Sequence, residues 1–279
     1  METTTAMTSE TPIGGLLRAW RERRRLSQMT LALDAEISTR HLSFLETGRA
    51  RPSREMVLRL AGCLRVPLRE QNALLLAAGF APQYPQRPLT GESLRSAREM
   101  MQRVLDGHAP YPALAIDRYW NLQAANRALM PLLAGVDATL LEPPVNVLRL
   151  SLLPHGLAPR IVNLPEWRAF LLARLRHEAD LTADVQLAAL LEELRGAGTT
   201  PRRAARSATV GNTNAGQQLA VPLILDTPLG RLRFISTTMV FGSAVDVTLS
   251  ELAIESFFPA DQETAAALSR LDEAQGGRS

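Results

Sequence analysis

The stretch from Leu26 to Pro52, LSQMTLALDAEISTRHLSFLETGRARP, constrains the fold of this chain more than any other. Ser27 is placed to cap a helix in which Met29, Leu31, Ala32 and Ala35 recur at helical spacing, and Ser38 to cap a second one buried through Leu42 and Leu45. Only Ala35-Glu36-Ile37 separates the two. So short a link forces the helices to cross steeply with Ile37 in the corner, which is the helix-turn-helix unit.

The second helix then keeps a free face. Thr39, Arg40, His41 and Ser43 stand on it within the first turn and a half, where they can hydrogen-bond base edges or phosphates. Gln28 opens the first helix where a phosphate would lie. Gly48 can end the second helix, and Arg49 and Arg51 project from the loop beyond it. A small bundle making protein contacts would use the same packing, but it leaves this polar face and the paired loop arginines unexplained.

L-S-Q, L-A, S, F-L-E-T-G-R and R-P-S together resemble the Cro/C1-type helix-turn-helix of xenobiotic-response-element-like repressors. The resemblance implies double-stranded DNA as a partner, a homodimer on paired half-sites, and Gln28, Ser38, Thr39, Arg40, His41, Ser43, Arg49 and Arg51 as the DNA-binding set. One position departs from the pattern: Glu36 stands where the turn usually has Gly, at a cost of about 1 kcal/mol if its φ is positive.

Charge agrees with that placement. Through Phe80 there are 12 Arg and 8 acidic residues, against 19 and 20 after it, so the basic excess belongs to the N-terminal part. Every basic residue is arginine, which excludes a Walker-A loop, a Schiff-base lysine and a pyridoxal phosphate anchor. The single cysteine, Cys63, sits in an apolar helical pattern and reads as a core thiol rather than a redox sensor. No stretch is apolar enough to span a membrane and METTTAMTSETP lacks the features of a signal peptide, so a cytoplasmic location is expected.

The 279 residues allow two domains. Residues up to about Pro12 read as polar and mobile, and five short helices to about Phe80 make an all-α domain, 1–80. GFAPQYPQRPLTGES reads as an interdomain linker, 81–93. A second domain, 94–260, starts with a helix from Leu94 to Asp106. Strands at Ala113–Ile116 and Trp120–Ala124 follow, joined by a turn at Asp117-Arg118, and Asn126 begins another helix. Helical periodicity covers Leu164 to His177 and Ala183 to Arg195. Thr199 to Gln218 reads as a loop, and strands are expected at Leu219–Leu225, Leu232–Phe241 and Val247–Phe258, with turns at Thr227–Gly230 and Gly242-Ser243. The expected architecture is α+β, a five-helix domain followed by a PAS-like domain with a five-stranded antiparallel sheet and helices on one side. After Pro259 only a tail, 261–279, is expected, helical at most.

HAPYPALAIDRYWNLQAANRAL, with TPLGRLRFISTTMVFGSAVDVTLSELAIESFFPAD far downstream, resembles the ligand-binding domain of MmyB-like transcription regulators. That resemblance implies a PAS-like cavity for a small apolar ligand, with a long-chain fatty acid as the leading candidate, and no cofactor. Trp167, Phe170, Phe234 and Phe241 are candidates for a tail pocket or for plain core. Asn121 and Asn126 can hold a head group or cap a turn and a helix, and capping is favoured. The loop around His155 also offers Arg160 and Asn163. The four histidines lack metal-ligand spacing. A ligand-responsive regulator is therefore the leading reading. The others are an enzyme centred on His155 and fused to a helix-turn-helix, or a regulator whose second domain only dimerises or contacts proteins.

Overall fold

A computed structural model describes residues 12–197, 221–242 and 244–276. Its first five helices, α1 (Ile13–Arg23), α2 (Gln28–Asp34), α3 (Thr39–Glu46), α4 (Arg54–Cys63) and α5 (Leu68–Ala77), begin and end by local chemistry. Ser27, Ser38 and Ser53 accept hydrogen bonds from the backbone N–H of Thr30, His41 and Met56, each satisfying a donor that the helix itself leaves open. The C-terminal ends repeat one device. Arg25, Glu36, Arg65 and Gly79 follow their helices with φ of 56°, 53°, 48° and 84°. The residue after each, Leu26, Ile37, Val66 or Phe80, then returns its N–H to the carbonyl of Arg21, Ala32, Ala61 or Leu75. Three of these four left-handed residues are not glycine. Their strain is offset because the reversal turns Leu26, Ile37 and Val66 onto the apolar cluster of Leu17, Leu31, Leu42, Leu60 and Leu74.

Gly14 fixes how closely α1 and α3 approach, since a Cβ there would lie 2.4 Å from the carbonyl oxygen of Leu45. The helical unit also runs past Phe80. Asn72 accepts from the N–H groups of Gln83 and Tyr84 and donates to the Tyr84 carbonyl, so residues 81–87 of the expected linker belong to this unit.

The described residues of the second unit are 88–197, 221–242 and 251–276. It contains α6 (Arg95–Gly107), β1 (Ala113–Ile116), β2 (Leu122–Ala125), α7 (Val147–Leu152), α8 (Leu164–Thr182), α9 (Val185–Gly196), β3 (Leu223–Thr227), β4 (Gly230–Val240) and β5 (Ala253–Pro259). The strands form one antiparallel sheet in the order β2-β1-β5-β4-β3, with Ala113 opposite Ser256, Phe234 opposite Pro259 and Leu223 opposite Phe234. The fold is therefore α+β with a PAS-like sheet, as expected.

Several details depart from expectation for physical reasons. Trp120 has φ 64°, so β2 starts at Leu122 and not at Trp120. The helix expected from Asn126 is a 3-10 helix, Arg127–Leu133, in which Pro131 supplies no N–H. Helices do not lie on one side only: Ala113, Leu114, Ala115 and Ile116 are all buried, and α6 packs against β1 and β2 on the face away from the main core. A single turn, α10 (Val247–Ser250), occupies the start of the expected third strand of the C-terminal hairpin. This Ala244–Ser250 segment belongs to the helical unit, with Val247 N donating to Pro85 O (2.9 Å). The expected tail is α11 (Gln262–Gly276), whose Ala267 and Leu268 are buried in the core of the second unit. The N-terminal residues 1–11, the expected loop Thr199 to Gln218, Leu219 and Ala220 of the expected strand, and Ser243 of the expected turn lie outside the described residues.

Candidate functional sites

The first site is the outer face of α3. The Oγ of Ser38 is occupied in capping, accepting from His41 N at 3.1 Å, and this fixes the first turn that carries Thr39, Arg40 and His41. Thr39 and Arg40 are exposed, while His41 and Ser43 are half-buried. The guanidinium groups of Arg40 and Arg49 both lie over the ring of Phe44, at 5.3 Å and 6.0 Å, so one aromatic platform gathers a helix arginine and a loop arginine. Arg51 is exposed beside them in sequence, and among the described residues no carboxylate pairs with Arg40, Arg49 or Arg51. Cations without a carboxylate partner, Arg40 in the first turn of α3 and Arg49 and Arg51 in the loop beyond it, suit phosphate and base-edge contacts.

Gln28 differs from the contact expected of it, because its amide nitrogen donates to Glu46 Oε2 at 2.8 Å. Glu46 is buried and also receives both Nε and Nη2 of Arg21, at 2.6 and 2.9 Å. The hydrogen bond to Glu46 is the main reason the Arg21 pKa is raised. This Arg21–Glu46–Gln28 network ties α1, α2 and the end of α3 together and so holds the outer face in place. Cys63 donates to the Asp34 carbonyl and burial pushes its thiol pKa up, away from the reactive thiolate.

The second site is an apolar cavity of about 100 Å³ between the sheet and the helices of the second unit. Leu114, Trp120, Leu132, Leu148, Trp167, Phe170, Leu171, Phe234 and Phe257 are among the residues that line it. Trp120 reaches it from a left-handed backbone position that a bulky residue seldom adopts. Asp117 holds that turn: its carbonyl accepts from Trp120 N, and its Oδ1 from Tyr119 N and Asn121 N. The cavity also has a charged margin of Arg174 and Glu255.

Of the nine residues expected at a ligand pocket, the structure brings Trp167, Phe170 and Phe234 together on the cavity wall. The other six do not line it, and the reasons are specific. Asn121 donates to Asp117 Oδ2 and borders a separate polar cleft with Asn146 and Arg149. Asn126 is buried but caps no helix. Its side chain accepts from Ala113 N and donates to the carbonyls of Leu105 and Tyr111, clamping β1. Arg160 donates to the carbonyls of Leu132, Ala134 and Asp226, and Asn163 holds β3 through Pro222 O and Ile224 N. His155 is exposed, and Phe241 is half-buried at the end of β4.

Arg174, Glu178 and Glu255 were missed. Arg174 and Glu178 stand one turn apart beside the buried stripe of Leu171, Leu175 and Ala179, and a charged pair so near an apolar stripe was the available signal.

Two family models match. Residues 12–74 match a helix-turn-helix domain, and residues 97–271 match the ligand-binding domain of MmyB-like transcription regulators. None of the curated proteins matches the chain.

Proposed function

The chain belongs to the MmyB-like transcription regulators, and from that premise we propose that it reads its operator through α3 and responds to an alkyl-chain ligand held in the apolar cavity. It is a DNA-binding regulator with a ligand-binding domain. The observation that carries the finer reading is a cavity walled by Trp, Phe and Leu side chains in one unit and, in the other, a helix arginine and a loop arginine that share the Phe44 ring and have no carboxylate partner among the described residues.

A long-chain fatty acid of about twelve to sixteen carbons is the ligand that this reading favours, since each buried methylene contributes about 0.8 kcal/mol. The cavity at about 100 Å³ is too small to hold such a chain as it stands. For scale, an engineered cavity of about 150 Å³ takes up benzene. Entry of a long chain therefore separates the helical wall from the sheet. That is what regulation requires, because a ligand shifts an equilibrium only by binding one arrangement better than another, with couplings of about 1 to 3 kcal/mol. The segment Ala244–Ser250, which joins the cavity strands β4 and β5, is part of the helical unit and supplies a covalent route for that coupling.

Isothermal calorimetry on delipidated protein across a series of saturated fatty acids tests the reading. Affinity is expected to climb with chain length and then fall once the opened cavity is full; no heat and no thermal stabilisation anywhere in the series would refute it.

We also propose a homodimer, since two such modules about 34 Å apart meet successive major grooves on one face of the duplex. Sedimentation showing monomer both free and on DNA would overturn it. We also propose a cytoplasmic location, which work on DNA requires; no described helix is long and apolar enough to cross a membrane. The enzyme reading centred on His155 loses its support, because that side chain is exposed while Arg160 and Asn163 are committed to backbone carbonyls and amides.

A further inference from the structure

The cavity ends on charge, and the balance of that charge restricts what can lie in it. Alternation along β4 puts Leu232, Phe234, Ser236 and Thr238 on one face, which grades from apolar to polar. At the polar end Arg174 Nη2 donates to Glu255 Oε1 at 2.7 Å and its Nε to Glu178 Oε1 at 3.3 Å. Thr238 Oγ1 donates to the same oxygen of Glu255 at 3.0 Å, and Trp120 Nε1 donates to Glu178 Oε2 at 2.7 Å.

One guanidinium thus meets two carboxylates, and Arg174 is the only cation among the described residues that line the cavity. Burial raises the pKa of Glu178. With its proton on, the cluster is neutral; with it off, the cluster carries one negative charge. In neither state is a cation left for a ligand. An ionised carboxylate entering here would have to draw Arg174 away from Glu255, stranding a buried carboxylate, or lie beside Glu255 unpaired, and both are costly.

We infer that this cavity selects amphiphiles whose head group is uncharged and donates a hydrogen bond, such as a primary alcohol or a protonated acid, with Glu255 and Ser236 as the acceptors. This rests on the alkyl-ligand reading and narrows it: a fatty acid binds as the acid and not as its anion.

Decanol and decanoate, titrated into the delipidated full-length protein at about pH 8, well above the ordinary carboxylate range, provide the test. Decanol binds more tightly to the wild-type protein. Because an alcohol is also the less hydrated head group, the decisive quantity is the ratio of the two affinities in variants. In E178Q/E255Q the guanidinium is released, and the decanol-to-decanoate ratio should fall by about tenfold or more. E178Q alone, which keeps the Arg174–Glu255 pair, should move the ratio less and in the same direction, and stands in if the double variant does not unfold cooperatively. Tighter binding of decanoate to the wild type, or a ratio unchanged in these variants, overturns the head-group inference while leaving an alkyl-binding cavity. Failure of both probes to bind overturns the cavity reading itself.

Discussion

Each unit of this protein contains an arginine bound to a glutamate distant in sequence, and the two pairs are built differently. In the helical unit Arg21 meets Glu46 through two parallel hydrogen bonds, and the remaining carboxylate contact is the neutral amide of Gln28. Glu22 also lies 3.9 Å from Arg21, but Arg18 pairs with it at 2.7 Å, so the charges of the group balance. In the sheet unit Arg174 meets Glu255 through one hydrogen bond and shares itself with Glu178 at the margin of a cavity. For Arg174, burial works against the charge, and the two glutamates outweigh it and raise the pKa. A closed, balanced pair supports a surface; an open pair with excess carboxylate is a place where a ligand's charge matters.

If the first pair is structural, breaking it should give the largest effect. Glu46→Ala strands a buried guanidinium and should destabilise the helical unit by about 3 to 5 kcal/mol in chemical denaturation. A loss within experimental error would remove the contrast, because the two pairs would then be equally dispensable. Next in size is the surface that the pair supports. Arg40→Ala should cost about 1 to 3 kcal/mol on the specific operator and hardly alter binding to random DNA. Equal losses on both sequences would reassign Arg40 to the backbone contacts expected of Arg49 and Arg51, whose replacement should flatten the salt slope by about one unit.

Backbone strain in the same unit gives a smaller effect. Glu36 holds φ 53° between α2 and α3, so Glu36→Gly should raise the stability of the helical unit by about 1 kcal/mol, read as a higher melting temperature. No gain would mean that the extra freedom of glycine in the unfolded chain cancels the relieved strain.

The smallest expected effect lies in the second pair. Burial raises the folded-state pKa of Glu178 above the ordinary 4.5, so its favourable contribution is present in full below that value and is lost as pH rises through the raised one. Glu178→Gln should therefore gain stability relative to wild type at neutral pH, and the gain should vanish below the ordinary carboxylate value. Unlike Glu46→Ala it strands no charge, since Arg174 keeps Glu255. A pH-independent difference would show that the proton on Glu178 is not what changes.

The helix-turn-helix was legible because its determinants are local. Caps at Ser27, Ser38 and Ser53, the reversal at Glu36 and the apolar periodicity all act within a few residues, and the residues proposed to meet DNA, Gln28 apart, fall between Ser38 and Arg51. The strands were legible from runs rich in Ile, Val, Thr and Phe between turn residues, and part of the cavity wall was legible too, Phe234 on β4 and Trp167 and Phe170 on α8. Local signals misled where tertiary context took over. A turn-prone Asn126 became a clamp on β1, and a polar-looking tail became α11, because Ala267 and Leu268 found an apolar surface that only the folded sheet presents.

By itself, then, the sequence determined the short helices of the first unit, their serine caps and the face of α3 turned outward, since each depends on neighbours along the chain. Tertiary structure alone decided which side chains surround the cavity and what charge closes it. Glu255 reaches Arg174 across 81 residues and Glu178 reaches Trp120 across 58, and no periodicity along the chain encodes an encounter at that separation. It is set by strand register and by the left-handed turn at Trp120, which exist only once the sheet has formed.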